Sequence, residues 1–231
     1  MNDAARKFRP KAIVFDLDGT LVDSAPEIAT ALNTAMAEID QPPFPLTEVQ
    51  SFIGGGAKVA LQRALMARGT HIEAAVFDAM MASFYKKYAE VSAAGNGLYP
   101  GVVETLSALR ADDIPLGVCT NKAAHITTIA LEALGIARFF STVVGARDDV
   151  PRKPAPDMLL KALGDLGTRP GEGLVVGDSK SDVGSARSAG CPVIAVSYGY
   201  PHGPVAELGA DTVIDRMPDL LRHLELSARP R

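Results

Sequence analysis

The sequence predicts an α/β fold: a parallel sheet with helices on both faces, interrupted near the amino terminus by an inserted helical segment. Three observations lead there. Ala12-Ile13-Val14-Phe15 is a short apolar run with branched residues and an aromatic, the pattern of a buried strand. From Leu98 onward, short apolar runs alternate with helical spacing, as in parallel strands joined by helices. Between Ser24 and Ala94 no convincing strand occurs, so this stretch reads as all-helical.

Composition bounds the function. The 231 residues can bury a sizeable core, as one large domain or two small ones. Apolar residues make up 47% and charged residues 22%, ordinary for a soluble globular protein. A net charge of −4 without a long basic run argues against a nucleic-acid partner. No apolar stretch approaches the length of a membrane span. Arg6, Lys7, Arg9 and Lys11 precede an apolar run too short for a secretory signal and read as a frayed leader. Cys119 and Cys191 lie in or beside strand-like runs, where cysteine is a small core residue. Two isolated cysteines give neither a disulfide framework nor a metal-ligand spacing, which fits a cytoplasmic enzyme.

Taken in order, the first strand is followed by Ser24 and Glu27 at the spacing of a capping box, with Pro26 in the first helical turn. That helix is expected to reach about Ile39 and to stop at Gln41-Pro42-Pro43-Phe44-Pro45. Thr47 is expected to cap a short helix through Phe52, broken by Gly54-Gly55-Gly56. Further helices are expected over Val59–Met66 and roughly Ile72–Ala93, the latter carrying Val76, Phe77, Met80, Phe84 and Tyr88. After Gly95-Asn96-Gly97 come helix Val102–Arg110, strand Pro115–Thr120, helix Ala123–Leu134, strand Thr142–Gly145, helix Asp157–Leu166 and strand Leu174–Val176. A helix Asp182–Ala189, strand Val193–Val196, weak strand Thr212–Ile214 and final helix Pro218–Leu226 complete the chain. The opening strand must join this later sheet. The expected division is therefore residues 1–23 with 95–231 as a sheet domain, and 24–94 as a helical cap above its carboxyl-terminal edge.

In such sheets ligands bind beyond the carboxyl ends of the strands. The polar residues there are Asp16 and Asp18, Thr120 and Asn121, Lys153, and Asp178 with Asp182. Asp16 and Asp18 admit three readings: a polar turn, a calcium loop, or a nucleophile–acid pair for phosphoryl transfer. The calcium reading fails, because Leu21 stands where the loop needs glycine and a strand, not a helix, precedes it. The other groups favour phosphoryl transfer. Asp16 and Asp178 offer carboxylates to Mg²⁺, Asp18 its backbone carbonyl, and Asp182 can orient a metal-bound water. Lys153 brings positive charge, and Thr120 and Asn121 can donate to phosphoryl oxygens. Singly each has a plainer reading: Thr120-Asn121 as a helix cap, Lys153 as a solvated lysine, Asp182 as a cap. Their joint occurrence at successive strand ends outweighs those readings.

Asp16-Leu17-Asp18-Gly19-Thr20, Thr120-Asn121, Lys153-Pro154 and Gly177-Asp178-Ser179-Lys180-Ser181-Asp182 resemble the four motifs of the haloacid dehalogenase-like phosphatases. The resemblance covers essentially the whole chain. It implies a Rossmann-like core with an inserted cap, Asp16 as nucleophile, Asp18 as general acid and base, and Mg²⁺ as cofactor. Phe52-Ile53-Gly54-Gly55-Gly56, Leu98-Tyr99-Pro100-Gly101-Val102 and Ser197-Tyr198-Gly199-Tyr200 resemble the phosphoglycolate phosphatase group. That implies a small phosphate monoester, foremost 2-phosphoglycolate, as substrate; the assembly is expected to be a monomer or homodimer. Gly54 and Gly55 are then expected to face the phosphate, with Lys58 or Arg63 reaching a substrate carboxylate and hinges near Asp23-Ser24 and Gly95–Gly97. The alternatives are a sugar-phosphate phosphatase, a pyrophosphatase, a β-phosphoglucomutase-like mutase, or a non-catalytic binding module on the same fold.

Overall fold

The computed structural model describes residues 8–95 and 97–226. Arg6 and Lys7 of the expected leader, and Asn96 of the expected hinge, lie outside the described residues. Strand β1 (Ala12–Phe15) is buried along its whole length. It lies inside a six-stranded sheet of order β3-β2-β1-β4-β5-β6, with β2 (Leu116–Ala123), β3 (Thr142–Ala146), β4 (Gly173–Gly177), β5 (Val193–Val196) and β6 (Thr212–Ile214). Every pairing is parallel, with β1 set between Ile13↔Leu116 on one side and Ile13↔Leu174 on the other.

A strand flanked on both edges and covered on both faces must be apolar throughout. Ile13 and Phe15 enter one cluster with Leu106, Val118 and Val176, while Val14 enters another with Cys119, Met158 and Val175. Helix α5 (Val102–Ala111) covers the first face; α7 (Asp157–Asp165) and α8 (Lys180–Ala189) cover the second. Helix α6 (Ala124–Ala133) contributes Leu131 to the first cluster and Ile126 to the core of the helical insert. The chain runs outward from β1 to β2 and β3, then returns to place β4, β5 and β6 on β1's other side. That reversal opens a crevice at the carboxyl ends of β1 and β4.

The insert consists of α1 (Ala25–Ala37), α2 (Leu46–Gln50), α3 (Ala57–Ala67) and α4 (Ala74–Ser92). Ile28, Leu32, Ala35 and Met36 of α1 meet Met80, Phe84 and Tyr88 of α4 in a core separate from both sheet faces. The spacing on α4 is one residue per helical turn, so the three side chains share a face. The two connections to the sheet domain run side by side: Asp23 N–H donates to Gly97 O at 2.6 Å, and Val22 bridges Leu98.

Some expected local features differ. The Ser24–Glu27 capping box does not form, because Glu27 instead accepts from Ser92 of α4 and Ser24 Oγ has no hydrogen-bond partner. Pro45, not Thr47, precedes α2. Thr120 and Asn121 lie within β2 and not at the start of a helix. The final helix is a 3₁₀ segment, Met217–His223. A capping box does form at α8, where Asp182 N–H donates to Ser179 Oγ and Ser179 N–H donates to Asp182 Oδ2. Among the described residues, no helix is long and apolar enough to cross a membrane.

Candidate active site

Asp16 is the first residue beyond β1, and its N–H donates to Val176 O at 2.9 Å. The sheet thus fixes the backbone of a carboxylate that is only 9% exposed. Lys153 Nζ stands 2.9 Å from Asp16 Oδ1 and donates to Asp182 Oδ1 at 2.6 Å and to Cys119 O at 2.7 Å. The ammonium is near Asp16 but not aligned with it, and Asp16 Oδ1 is left without a hydrogen bond. Burial, then the charge of Asp182, push the Asp16 carboxyl up to about 7 against the pull of Lys153. Burial works against the Lys153 ammonium, but Asp16 and Asp182 outweigh it and hold the lysine protonated.

Asp178 ends β4. Its Oδ1 accepts from Thr20 Oγ at 3.2 Å and its Oδ2 from Tyr200 N–H at 2.7 Å. Glycines make this approach possible: a Cβ on Gly19, whose φ is +87°, would lie 2.3 Å from Asp178 Oδ2, and one on Gly199 would lie 2.5 Å from it. One oxygen each from Asp16, Asp178 and Asp182 falls within 4.8 Å of the others. Burial first, then Asp182 and Asp16, raise the Asp178 carboxyl well above the usual range. Hard oxygen donors, crowded negative charge and the orphaned Asp16 Oδ1 together fit a divalent cation such as Mg²⁺. Asp182 completes the cluster, but its oxygens are already engaged: Oδ1 by Lys153, Oδ2 by the N–H and Oγ of Ser179. Each Asp178 oxygen likewise accepts a hydrogen bond, whereas Asp16 Oδ1 has none; Asp182 in addition holds Lys153 and the α8 turn.

The end of β2 supplies the opposite wall. Its pairing with β3 shifts register between Thr120 and Ala123, which releases Asn121 and Lys122 from strict alternation. Thr120 Oγ accepts from Lys122 N–H at 3.2 Å, leaving its own proton for a ligand. The Asn121 side chain faces protein, which corrects the expectation that it donates to phosphate. Its Nδ2 donates to Gly54 O at 3.1 Å and Lys153 O at 3.0 Å, and its Oδ1 accepts from Lys153 N–H. Asn121 therefore ties the cap loop and the Lys153 loop to β2.

Comparison with known proteins decides the family. The family profile described as haloacid dehalogenase-like hydrolase matches residues 13–196. The chain belongs to the haloacid dehalogenase-like hydrolases. A phosphoglycolate phosphatase of Rhodospirillum rubrum is 42% identical over 215 residues, covering 91% of this chain and 89% of that protein. One from Escherichia coli K12 is 38% identical over 234 residues, covering 94% and 93%. A crystal structure described as a predicted phosphoglycolate phosphatase from Haemophilus somnus superposes with a TM-score of 0.85 at 35% identity, covering 92% of this chain and 96% of that one.

In this haloacid dehalogenase-like hydrolase the helical insert lines the cavity with Ile28, Ala57, Ala60 and Phe84, beside Tyr85 and Tyr88. Gly54 lines it, as expected, but Gly55 does not: its α-carbon faces Val59 of α3, and Gly56 lines the cavity in its place. Neither expected cation of the cap reaches it. Lys58 is exposed, and Arg63 Nη1 donates to the carbonyls of Phe52 and Ile53, each at 3.1 Å, closing the turn between α2 and α3.

The residue that sequence reasoning missed is Lys122. It is 4% exposed and donates to Asp18 Oδ1 at 2.9 Å and to the Tyr88 hydroxyl. Burial, then the charges of Asp18 and Glu27, hold the Tyr88 phenol neutral, so it serves as the acceptor. The only sequence signal was position: Lys122 follows Thr120-Asn121 at a strand end facing the crevice.

Proposed function

We propose that the protein is a Mg²⁺-dependent phosphatase that hydrolyses a small phosphate monoester, 2-phosphoglycolate, to glycolate and phosphate. The observation that carries this is the pairing of a buried, underbonded Asp16 with Asp18 across a single residue, beside Lys153. The relatives named phosphoglycolate phosphatase, at 38–42% identity over nine-tenths of the chain, support the substrate. So does the cavity, whose cap-side wall is apolar and offers a sugar few hydrogen-bond partners.

In this mechanism an Asp16 carboxylate oxygen attacks phosphorus as the ester P–O bond breaks, and Asp18, as the acid, gives its proton to the leaving oxygen. Asp18, now a carboxylate, takes a proton from water as that water's oxygen attacks the aspartyl-phosphate. Phosphate leaves and Asp16 is restored. Lys153 offsets charge beside Asp16, and the Thr120 hydroxyl donates to a phosphoryl oxygen. Mg²⁺, held by Asp16, Asp178 and the Asp18 carbonyl, would supply charge neutralisation and orient the phosphoryl group. Segment 24–94 acts as a cap that excludes bulk water, turning about Asp23-Ser24 and Gly95–Gly97. The two buried free thiols support a cytoplasmic location.

The test is phosphate release from 2-phosphoglycolate, sugar phosphates, pyrophosphate and a nucleotide, with and without Mg²⁺, for wild type and Asp16→Asn. Metal-dependent release, strongest on 2-phosphoglycolate and absent in the variant, is expected. A peak on another ester removes the substrate, isomerised sugar phosphate without phosphate release marks a mutase, and activity surviving in Asp16→Asn removes the nucleophile.

A further inference from the structure

A phosphate ester that also carries a carboxylate brings a second negative charge into a cavity already crowded with aspartates. Uncompensated, that charge would be expelled. Among the described residues, the cations lining the cavity are Lys153 and Lys122. Lys153 donates to Asp182 and the Cys119 carbonyl and stands 2.9 Å from Asp16 Oδ1, so its charge already serves the two carboxylates on the attacking side. Lys122 is held differently. Its ammonium lies on the cap side of the crevice, 4.1 Å from the centre of the Tyr88 ring. Of its three N–H donors, one goes to Asp18 and one to the Tyr88 hydroxyl, leaving a third for a ligand.

Position then selects the ligand. Asp18 must approach the ester oxygen to protonate it, and Lys122 Nζ is 2.9 Å from Asp18 Oδ1. A carboxylate one methylene from that oxygen is short enough to meet the ammonium beside Asp18, whereas Ile28 and Phe84, which line the same cavity, offer a carboxylate no partner. We infer that Lys122 is the specificity-determining residue that receives the substrate carboxylate, selecting esters whose second anionic group lies one carbon from the ester oxygen. This rests on the proposed 2-phosphoglycolate reading and replaces Lys58 and Arg63 in that role. The α4 helix takes part through Tyr88, so the pocket for the carboxylate is complete only when cap and sheet domain meet.

The experiment compares kcat/KM for 2-phosphoglycolate with that for 2-hydroxyethyl phosphate, which replaces the carboxylate by a neutral group of similar size. Wild type is expected to prefer 2-phosphoglycolate by about 10- to 100-fold, the range for a charge-assisted hydrogen bond. In Lys122→Met both activities can fall, but the preference should collapse towards one, chiefly through KM for 2-phosphoglycolate. A preference preserved in Lys122→Met would mean that the lysine is merely structural and overturns the inference. Wild type without the preference, but active on another ester, defeats the substrate reading instead. Should Lys122→Met fail to fold, wild type alone still decides: the phosphate ester of 3-hydroxypropionate, one methylene longer, should lose most of the preference. Equal activity on both lengths would place the cation elsewhere.

Discussion

Tyr200 and Asp178 are joined through the backbone of one and the side chain of the other: Tyr200 N–H donates to Asp178 Oδ2 at 2.7 Å. The phenol at the far end of the same residue binds Asp23 Oδ1 and accepts from Ala25 N–H at 3.0 Å, where the chain enters the cap. One residue therefore connects a candidate cation ligand to the connection from which the cap would turn. In Tyr200→Phe the backbone bond to Asp178 survives, while the Ala25 N–H and the Asp23 carboxylate each lose a partner. The expected loss is about 1–3 kcal/mol of stability, with Mg²⁺ affinity within about twofold of wild type. Chemical denaturation and a metal titration read the two separately. An unchanged denaturation midpoint would show that the phenol does not secure the hinge.

Arg63 and Lys58 should behave differently although both are cap cations. Arg63→Ala opens the turn carrying Gly54, because three successive carbonyls from Ser51 to Ile53 lose the guanidinium. His202 still secures the same turn, its Nε2–H donating to Ile53 O at 2.7 Å. The expected result is a loss of about 1–2 kcal/mol and a similar fall in kcat/KM for every ester tested. Lys58→Ala should leave both quantities unchanged, as exposed substitutions away from such contacts usually do. A fall confined to 2-phosphoglycolate in either variant would return a carboxylate-binding role to the cap.

The candidate site was legible where chemistry conflicted with burial. A run such as Ala12–Phe15 that ends in Asp16 and Asp18 places carboxylates where no folding argument wants them, and the same holds for Gly177-Asp178. What was not legible depended on partners distant in sequence. Lys122 resembles a solvated lysine until Tyr88 of α4 is laid across it. Ser24 and Glu27 have capping-box spacing, yet Ser92 of α4 competes successfully for the glutamate. Arg63 has the chemistry of a substrate clamp, and only the closed turn at 51–53 shows where its donors go. Local spacing constrains what a residue can do, and tertiary contacts choose among those options.

The two carboxylates that face Lys153 should have opposite effects on stability when neutralised. Asp16 lies in a cluster whose burial and like charge oppose its ionisation, so Asp16→Asn removes repulsion while Lys153 keeps Asp182. Without divalent cations this variant should be inactive yet more stable, by about 1–2 kcal/mol. Asp182→Asn breaks a buried ion pair of 2.6 Å and should cost about 3–5 kcal/mol. Denaturation of both variants in chelator checks the pair. Equal destabilisation would mean that Asp16 is a structural partner of Lys153 in the same sense as Asp182.

The thiols give a pH dependence that can be isolated. Burial pushes Cys119 up to about 12, and burial with the charge of Asp211 does the same for Cys191. In the unfolded chain both return to the ordinary thiol range of about 8.5. Between those values the folded state binds more protons than the unfolded state, so unfolding free energy falls as pH rises. The contribution is fully present below the unfolded value and is lost on the way to the folded one. Lysines and tyrosines also titrate in this window, so the comparison must be differential. Urea denaturation at pH 8 and at about pH 10.5 should show wild type losing more stability than the Cys119→Ala/Cys191→Ala variant. The small cavities left by alanine shift both pH values alike and cancel in the slope. Identical slopes would mean that the thiols ionise as readily in the folded core as in water, which their burial does not permit.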